Sequence, residues 1–192
     1  MTHIVIIQGH PDAAGGHLCH ALAEAYAQGA REAGHELTEI TVAKIDFPLL
    51  RTQKEFQDGA LPETLKPHQD AIGRGRHCVI VYPLWLGTMP ALLKAFFEQV
   101  FRPGFAFKPG KRFMTPLLKG RSARIVITMG MPTLVYRWYF GAHGLKSLEK
   151  SVLGFIGIKP IRQSLFGMVD SASEIRRAKW LARMRDCGRR AA

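Results

Sequence analysis

Cysteine is scarce in this chain: three in 192 residues, Cys19, Cys78 and Cys187, far apart and with no Cys-x-x-Cys among them. That spacing excludes a disulfide framework and points to free thiols in a reducing compartment. No apolar run approaches the length that spans a bilayer. The start, Met-Thr-His-Ile-Val-Ile-Ile, carries no basic leader or cleavage site, so a cytoplasmic location is expected. Two nucleotide signatures are missing as well. The glycine-rich stretch at 9–16 is followed by no Gly-Lys-Ser/Thr, which excludes a Walker A loop, and it is not Gly-x-Gly-x-x-Gly. Acidic residues are few, 15 against 27 Lys and Arg, leaving a net charge of +12 that favours anionic partners. No DNA- or RNA-binding motif accompanies the charge, so no nucleic-acid partner is expected. Peripheral contact with an acidic membrane stays open. The late basic run, Arg176 to Arg190, reads as a solvated helix face and a frayed tail.

What is present alternates between apolar β-branched runs and helical periodicity. The organising stretch is Cys78–Val100. Cys78–Tyr82 reads as a buried strand, Pro83–Met89 as an apolar loop, and Ala91 onward as a helix, with Leu92, Leu93, Phe96, Phe97 and Val100 at helical spacing. Further strands are expected at Ile4–Gln8, Glu36–Val42, Ser122–Thr128 and Lys159–Phe166. Helices are expected from His17 to about Ala33, from Leu145 to Leu153 and from Ser171 to Arg185, the last capped by Ser171 or Ser173. Thr52–Pro67 reads as a long connection with short helical pieces, and Phe101–Leu118 as an aromatic and basic loop or hairpin including Lys111 and Arg112. Strand–loop–helix alternation predicts one α/β domain over 1–192. Its doubly wound, five-stranded parallel sheet has the flavodoxin-like order 2-1-3-4-5, with the switch point between the first and third strands.

Two loops flank that switch point. Gly9–Gly16 can aim backbone N–H groups and a helix N-terminus at an anion. His10, His17 and His20 raise a metal reading, but no carboxylate or cysteine is placed to complete a ligand set, and no metal is expected. His10 and His17 serve as donors to a phosphate or ribityl group, or merely cap the loop. The second loop leaves Leu84, Trp85, Leu86 and Met89 to be accounted for. Either they pack under their neighbours, or they form a backbone ledge against a flat ligand with Trp85 and Leu86 as its wall.

Several pieces carry a resemblance. They are Gly9-His10-Pro11, Tyr82-Pro83-Leu84-Trp85 with Pro90-Ala91-Leu92-Leu93-Lys94, Phe97-Glu98-Gln99-Val100-Phe101, and Tyr136 with His143-Gly144. In this order they resemble the flavodoxin-like NAD(P)H:quinone oxidoreductases, the DT-diaphorase family and its bacterial relatives. The resemblance implies a flavin, FMN or alternatively FAD, with its phosphate end at His10, His17, Leu18 and Cys19. It implies that Pro83, Leu84, Trp85 and Leu86, with the turn Thr128, Met129, Gly130 and Met131, hold the isoalloxazine ring. Tyr136 and His143 take the catalytic positions, NADPH or NADH is the donor, and a quinone-like compound is the acceptor. The turn Met129-Gly130-Met131-Pro132 stands where well-known members carry a glycine pair, and the spacing from Tyr136 to His143 is one residue longer.

A homodimer is also expected, from the resemblance and from the apolar-aromatic stretch Phe101–Phe113. Two other roles stay in view. Some relatives are ancillary regulatory subunits of potassium-efflux systems, which the basic C-terminal helix would suit. A flavodoxin-type electron carrier is the third, although such carriers tend to be acidic and this chain is basic.

Overall fold

In chain order the computed structural model runs β1 (His3–Gln8), α1 (Leu18–Glu32), β2 (Glu36–Thr41), α2 (Gln53–Asp58), α3 (Lys66–Arg74), β3 (His77–Pro83), α4 (Ala91–Val100), β4 (Phe107–Lys108), β5 (Thr115–Pro116), β6 (Ser122–Met129), α5 (His143–Lys146), β7 (Ile161–Gly167) and α6 (Glu174–Arg189). It describes residues 1–110 and 113–192; Lys111 and Arg112 of the expected excursion lie outside the described residues. The main sheet is parallel throughout in the order β2-β1-β3-β6-β7, the doubly wound order expected. β4 and β5 form a small antiparallel hairpin.

The strand residues alternate between two cores. Ile4, Ile6, Val79, Val81 and Val126 face α1 and α6. Val5, Ile7, Cys78, Ile80, Tyr82, Ile125 and Ile127 face α3, α4 and the 145–153 segment. Both faces of the central strands are thus covered, which is why their middle residues are apolar, with the buried Arg124 of β6 as an exception. Among the described residues, no helix is long and apolar enough to cross a membrane.

The elements depart from the sequence reading where tertiary contacts decide. His17 is the N-cap of α1 rather than its first turn. Ile161 opens β7 two residues late, because Pro160 has no N–H to give the ladder. The 143–154 segment is α-helical only to Lys146 and continues as a π-helical stretch over Ser147–Gly154. Ser173 caps α6 by accepting the Arg176 N–H at 3.3 Å.

The basic carboxy-terminal run is not a frayed tail. It stays helical to Arg189 and buries Met184, Cys187 and Gly188 against α1. Arg185 and Arg189 both pair with Glu32 there. The aromatic stretch Phe101–Phe113 is not an exposed patch either. Phe101 and Phe107 are buried, with Phe101 stacked on Phe97 at 5.3 Å and Phe107 against Phe155 at 5.0 Å. Phe113 at the end of the stretch is exposed, but the exposed apolar side chains that cluster along the chain are Leu134, Trp138, Tyr139 and Phe140.

Two glycines allow α1 and α6 to touch backbone to backbone. A Cβ on Gly29 would stand 1.9 Å from the Arg185 carbonyl oxygen, and one on Gly188 would stand 2.0 Å from that of Tyr26. Neither neighbour is a flexible side chain that could swing away. Gly29→Ala must therefore push the helices apart, at a cost of about 1–3 kcal/mol. A thermal melt should show the midpoint lowered by several degrees; an unchanged midpoint contradicts the close approach.

Candidate active site

Parallel strands end in register, so their following loops meet at one edge of the sheet. Three such loops are tied together here by backbone hydrogen bonds. Gly9 donates to the Val81 carbonyl at 2.7 Å, joining the loop after β1 to β3. Leu84 donates to the Thr128 carbonyl at 2.8 Å, joining the loop after β3 to β6. Met168 and Val169, beyond β7, donate to the carbonyls of Met131 and Met129 at 3.2 Å each, which holds the turn after β6.

The loop after β1 gathers three imidazoles. His10 stacks on His17 with ring centroids 4.0 Å apart, and His20 lies 5.2 Å from His10 and 5.7 Å from His17. His17 donates from Nε2 to Asp12 at 2.8 Å, and this bond holds the Asp12 carboxyl below the usual carboxylate range. The Asp12 N–H donates to His10 Nδ1 at 3.1 Å, which leaves the His10 proton on Nε2. Burial, with His17 and His20 alongside, lowers His10 to about 4. Burial also lowers His20.

Several polar atoms there have no hydrogen-bond partner among the described residues. Both His20 ring nitrogens and Gln8 Nε2 are buried and unbonded. The two side chains line a cavity of about 210 Å³ with Glu24, Glu39 and Thr41. Gly15 and Gly16, at φ 84° and 80°, have open space where a Cβ would stand. Beyond them the first N–H groups of α1, at Leu18 and Cys19, have no acceptor one turn back. The Cys19 side chain points the other way, onto Thr128 Oγ1 at 3.0 Å, and burial raises its thiol to about 12. Such a thiol is not reactive. Among the described residues no three His, Cys, Asp or Glu side chains are set to hold a metal ion. The open loop, the helix N-terminus and the unbonded imidazole and amide nitrogens fit a phosphate.

The loop after β3 divides its apolar residues. Leu84 packs partly against the core and Met89 is buried, whereas Trp85 is 51 % exposed and Leu86 stands fully in solvent. Trp85 and Thr88 exchange both backbone hydrogen bonds, at 2.9 and 3.0 Å, around Leu86 at φ 47° and Gly87 at φ 80°. Two successive positive φ values make a type I′ turn. Leucine is a strained choice there, and such strain is most often retained at a functional site. The Trp85 ring stands edge-on to His10 at 6.5 Å, linking this ledge to the histidine loop.

The residues given catalytic positions separate. Tyr136 lies in a π-helical turn, Val135–Tyr139, and is 1 % exposed. Its hydroxyl accepts the Leu145 N–H at 3.1 Å and reaches the Gly87 carbonyl at 3.5 Å. Tyr136 therefore ties the Trp85–Thr88 turn to the helix carrying His143. Gly144 tightens the same joint, since a Cβ there would stand 2.3 Å from the Gly87 carbonyl oxygen. His143 itself is exposed beside that turn. At the end of β6, Thr128 and Met129 are buried; in the turn after it, Gly130 is exposed and Met131 is half-buried. Pro83 is half-buried at the end of β3.

The sequence reading weighed His20 only as a metal ligand, although its position three residues after His17 put both on one helix face. Gln8 read only as the end of a strand. Nothing in its neighbours along the chain signals an unbonded amide.

The family described as having a flavodoxin-like fold matches residues 2–186. An uncharacterized NAD(P)H oxidoreductase of Haemophilus influenzae is 27% identical, over 87% of this chain and 84% of that one. An FMN-dependent NADH:quinone oxidoreductase 1 of Hahella chejuensis is 30% identical over 58% of this chain, and the match spans about half, 51%, of that protein. Among solved structures, an NAD(P)H:quinone oxidoreductase from Methanothermobacter marburgensis superposes with a TM-score of 0.79. It is 23% identical, with 98% of this chain and 94% of that one covered.

Proposed function

This chain belongs to the flavodoxin-like fold family, and from that membership we propose that it is a flavin-dependent NAD(P)H oxidoreductase with a quinone-like acceptor. One observation carries the reading: the histidine-lined glycine loop and the Trp85–Thr88 ledge stand side by side at the β1/β3 switch point. We take residues 1–192 as one flavin-binding unit. A flavin, when bound, supplies the hydride-accepting and hydride-donating centre between the nicotinamide and the acceptor. The phosphate end falls to His10, His17 and the N–H groups of Leu18 and Cys19. The ring falls to Pro83–Leu86 and the turn Thr128–Met131, with Trp85 and Leu86 as its apolar wall. FMN is favoured over FAD by the FMN-dependent relative. The purified chain should be yellow, or take up FMN, and should oxidise NADPH or NADH only when a quinone is supplied. A chain that takes up neither flavin contradicts the reading.

His143 is the exposed donor of the site and Tyr136 its support. A donor that meets charge appearing only as the ring is reduced speeds that step without tightening ground-state binding. His143→Ala should slow flavin reduction by NADPH by about 10²-fold, the usual cost of one such donor, at unchanged flavin affinity. Stopped-flow absorbance reads the step. Tyr136→Phe should instead lower stability by about 1–3 kcal/mol, because the Leu145 N–H loses its buried acceptor. An unchanged reduction rate in His143→Ala removes that residue from the reaction.

The protein works as a homodimer through the exposed apolar face Leu134, Trp138, Tyr139 and Phe140, with Trp138 and Tyr139 each 82 % exposed. That face adjoins the Tyr136–His143 joint, so pairing would wall the site. Light scattering at micromolar concentration should give twice the chain mass, and Trp138→Glu should give the chain mass. A monomeric wild type overturns the assignment.

A further inference from the structure

The anion loop has an unusual supply of charge. Its three imidazoles crowd one another; of the charges that reach His20, Lys44 in the turn after β2 disfavours its protonated ring and Asp12 favours it. His10 is committed to its neutral form, because its Nδ1 already accepts the Asp12 N–H. A second proton there would break that bond. His17 is spoken for by Asp12. His20 differs from both: neither of its ring nitrogens has a hydrogen-bond partner among the described residues, although both are buried. The carboxylates that share its cavity, Glu24 and Glu39, are both paired with Arg31 and do not neutralise it.

We propose that His20 takes up a proton when a phosphate dianion seats on this loop, and that it supplies the positive charge of the site. The inference rests on the flavin reading above and adds to it a residue and a proton. Without an anion, burial and the neighbouring His17 keep the His20 ring neutral. A dianion within a few ångströms reverses the balance by favouring the charged ring. The sign follows from linkage. A ligand that prefers the protonated site binds with proton uptake, and its affinity rises as pH falls towards the region where the free ring titrates. A flavin lacking the phosphate makes no such demand.

Calorimetry of the chain freed of flavin tests this. FMN and riboflavin are titrated near pH 7.5, where a phosphomonoester is already dianionic, its second pKa being about 6. Two buffers of different ionisation heat are used, so that the difference in heat counts protons. FMN should bind with uptake of about half a proton or more, and riboflavin with none. His20→Asn and His20→Gln should each abolish the uptake and weaken FMN about tenfold, while riboflavin affinity stays as it was. FMN binding without buffer-dependent heat overturns the inference and leaves the flavin reading intact. So does uptake that survives both substitutions. The wild-type comparison needs no variant, so a substitution that fails to fold does not shelter the idea. Failure of both flavins to bind removes the flavin reading, and this inference with it.

Discussion

The parallel register of β1, β3 and β6 is the constraint on which the site depends. Gln8 lies opposite Val81 and Pro83 opposite Thr128, so three chain reversals begin at the same level of the sheet. The carboxyl edge would otherwise offer free N–H and C=O groups. The Gly9–Val81 and Leu84–Thr128 bonds consume some of them by continuing the ladder into the loops. A one-residue slip of β3 would exchange its two buried faces and unhook both loops at once. Chemistry placed on such loops is held as firmly as the strands themselves.

The ledge shows what this firmness allows. Leu86 sits at positive φ with its side chain in solvent, an arrangement that costs roughly 1–3 kcal/mol. It is retained because the turn is over-determined: Trp85 and Thr88 close it, Tyr136 reaches its Gly87 carbonyl, and Gly144 presses on the same group. The backbone is stabilised from beneath by buried contacts, while its upper side carries an indole and a leucine to whatever binds. In the histidine loop polar groups play the corresponding part. There the supports are one hydrogen bond donated by the Asp12 N–H and one accepted by its carboxylate, and the groups left over are imidazoles.

Much of the sheet was legible because its information is local. Ile4–Gln8, Cys78–Tyr82 and Ser122–Thr128 each carry a run of three or four consecutive β-branched residues, and Pro90 before Leu92, Leu93, Phe96 and Phe97 marks a helix start. The two loops at the switch point followed from strand order alone. What failed depended on partners distant in the chain. Phe101 and Phe107 look as exposed in sequence as Trp138 and Tyr139. Only Phe97 and Phe155 decide which pair is buried. That the Tyr136 hydroxyl, given a catalytic place by the resemblance, also engages Leu145 and Gly87 is announced by nothing near it in the chain. The run from Arg176 to Arg190 read as a solvated helix face and a frayed tail because Glu32, which pairs Arg185 and Arg189, is some 150 residues away.

The backbone contact of α1 with α6 has a consequence for how the protein is made. On the ribosome β1 and α1 emerge well before α6, and α1 turns its apolar stripe (Cys19, Leu22, Tyr26, Ala30) to the sheet and to a helix not yet synthesised. β3 and β6 can join the sheet as they appear. The side of α1 that receives Met184 and Cys187 stays bare until α6 arrives. For most of translation the nascent chain therefore displays a sticky, half-covered helix of the sort that holding chaperones recognise. The segment that ends this exposure lies far along the chain from the loops of the site, so a chain cut short just before α6 carries every site residue but leaves α1 and the sheet beside it half-covered.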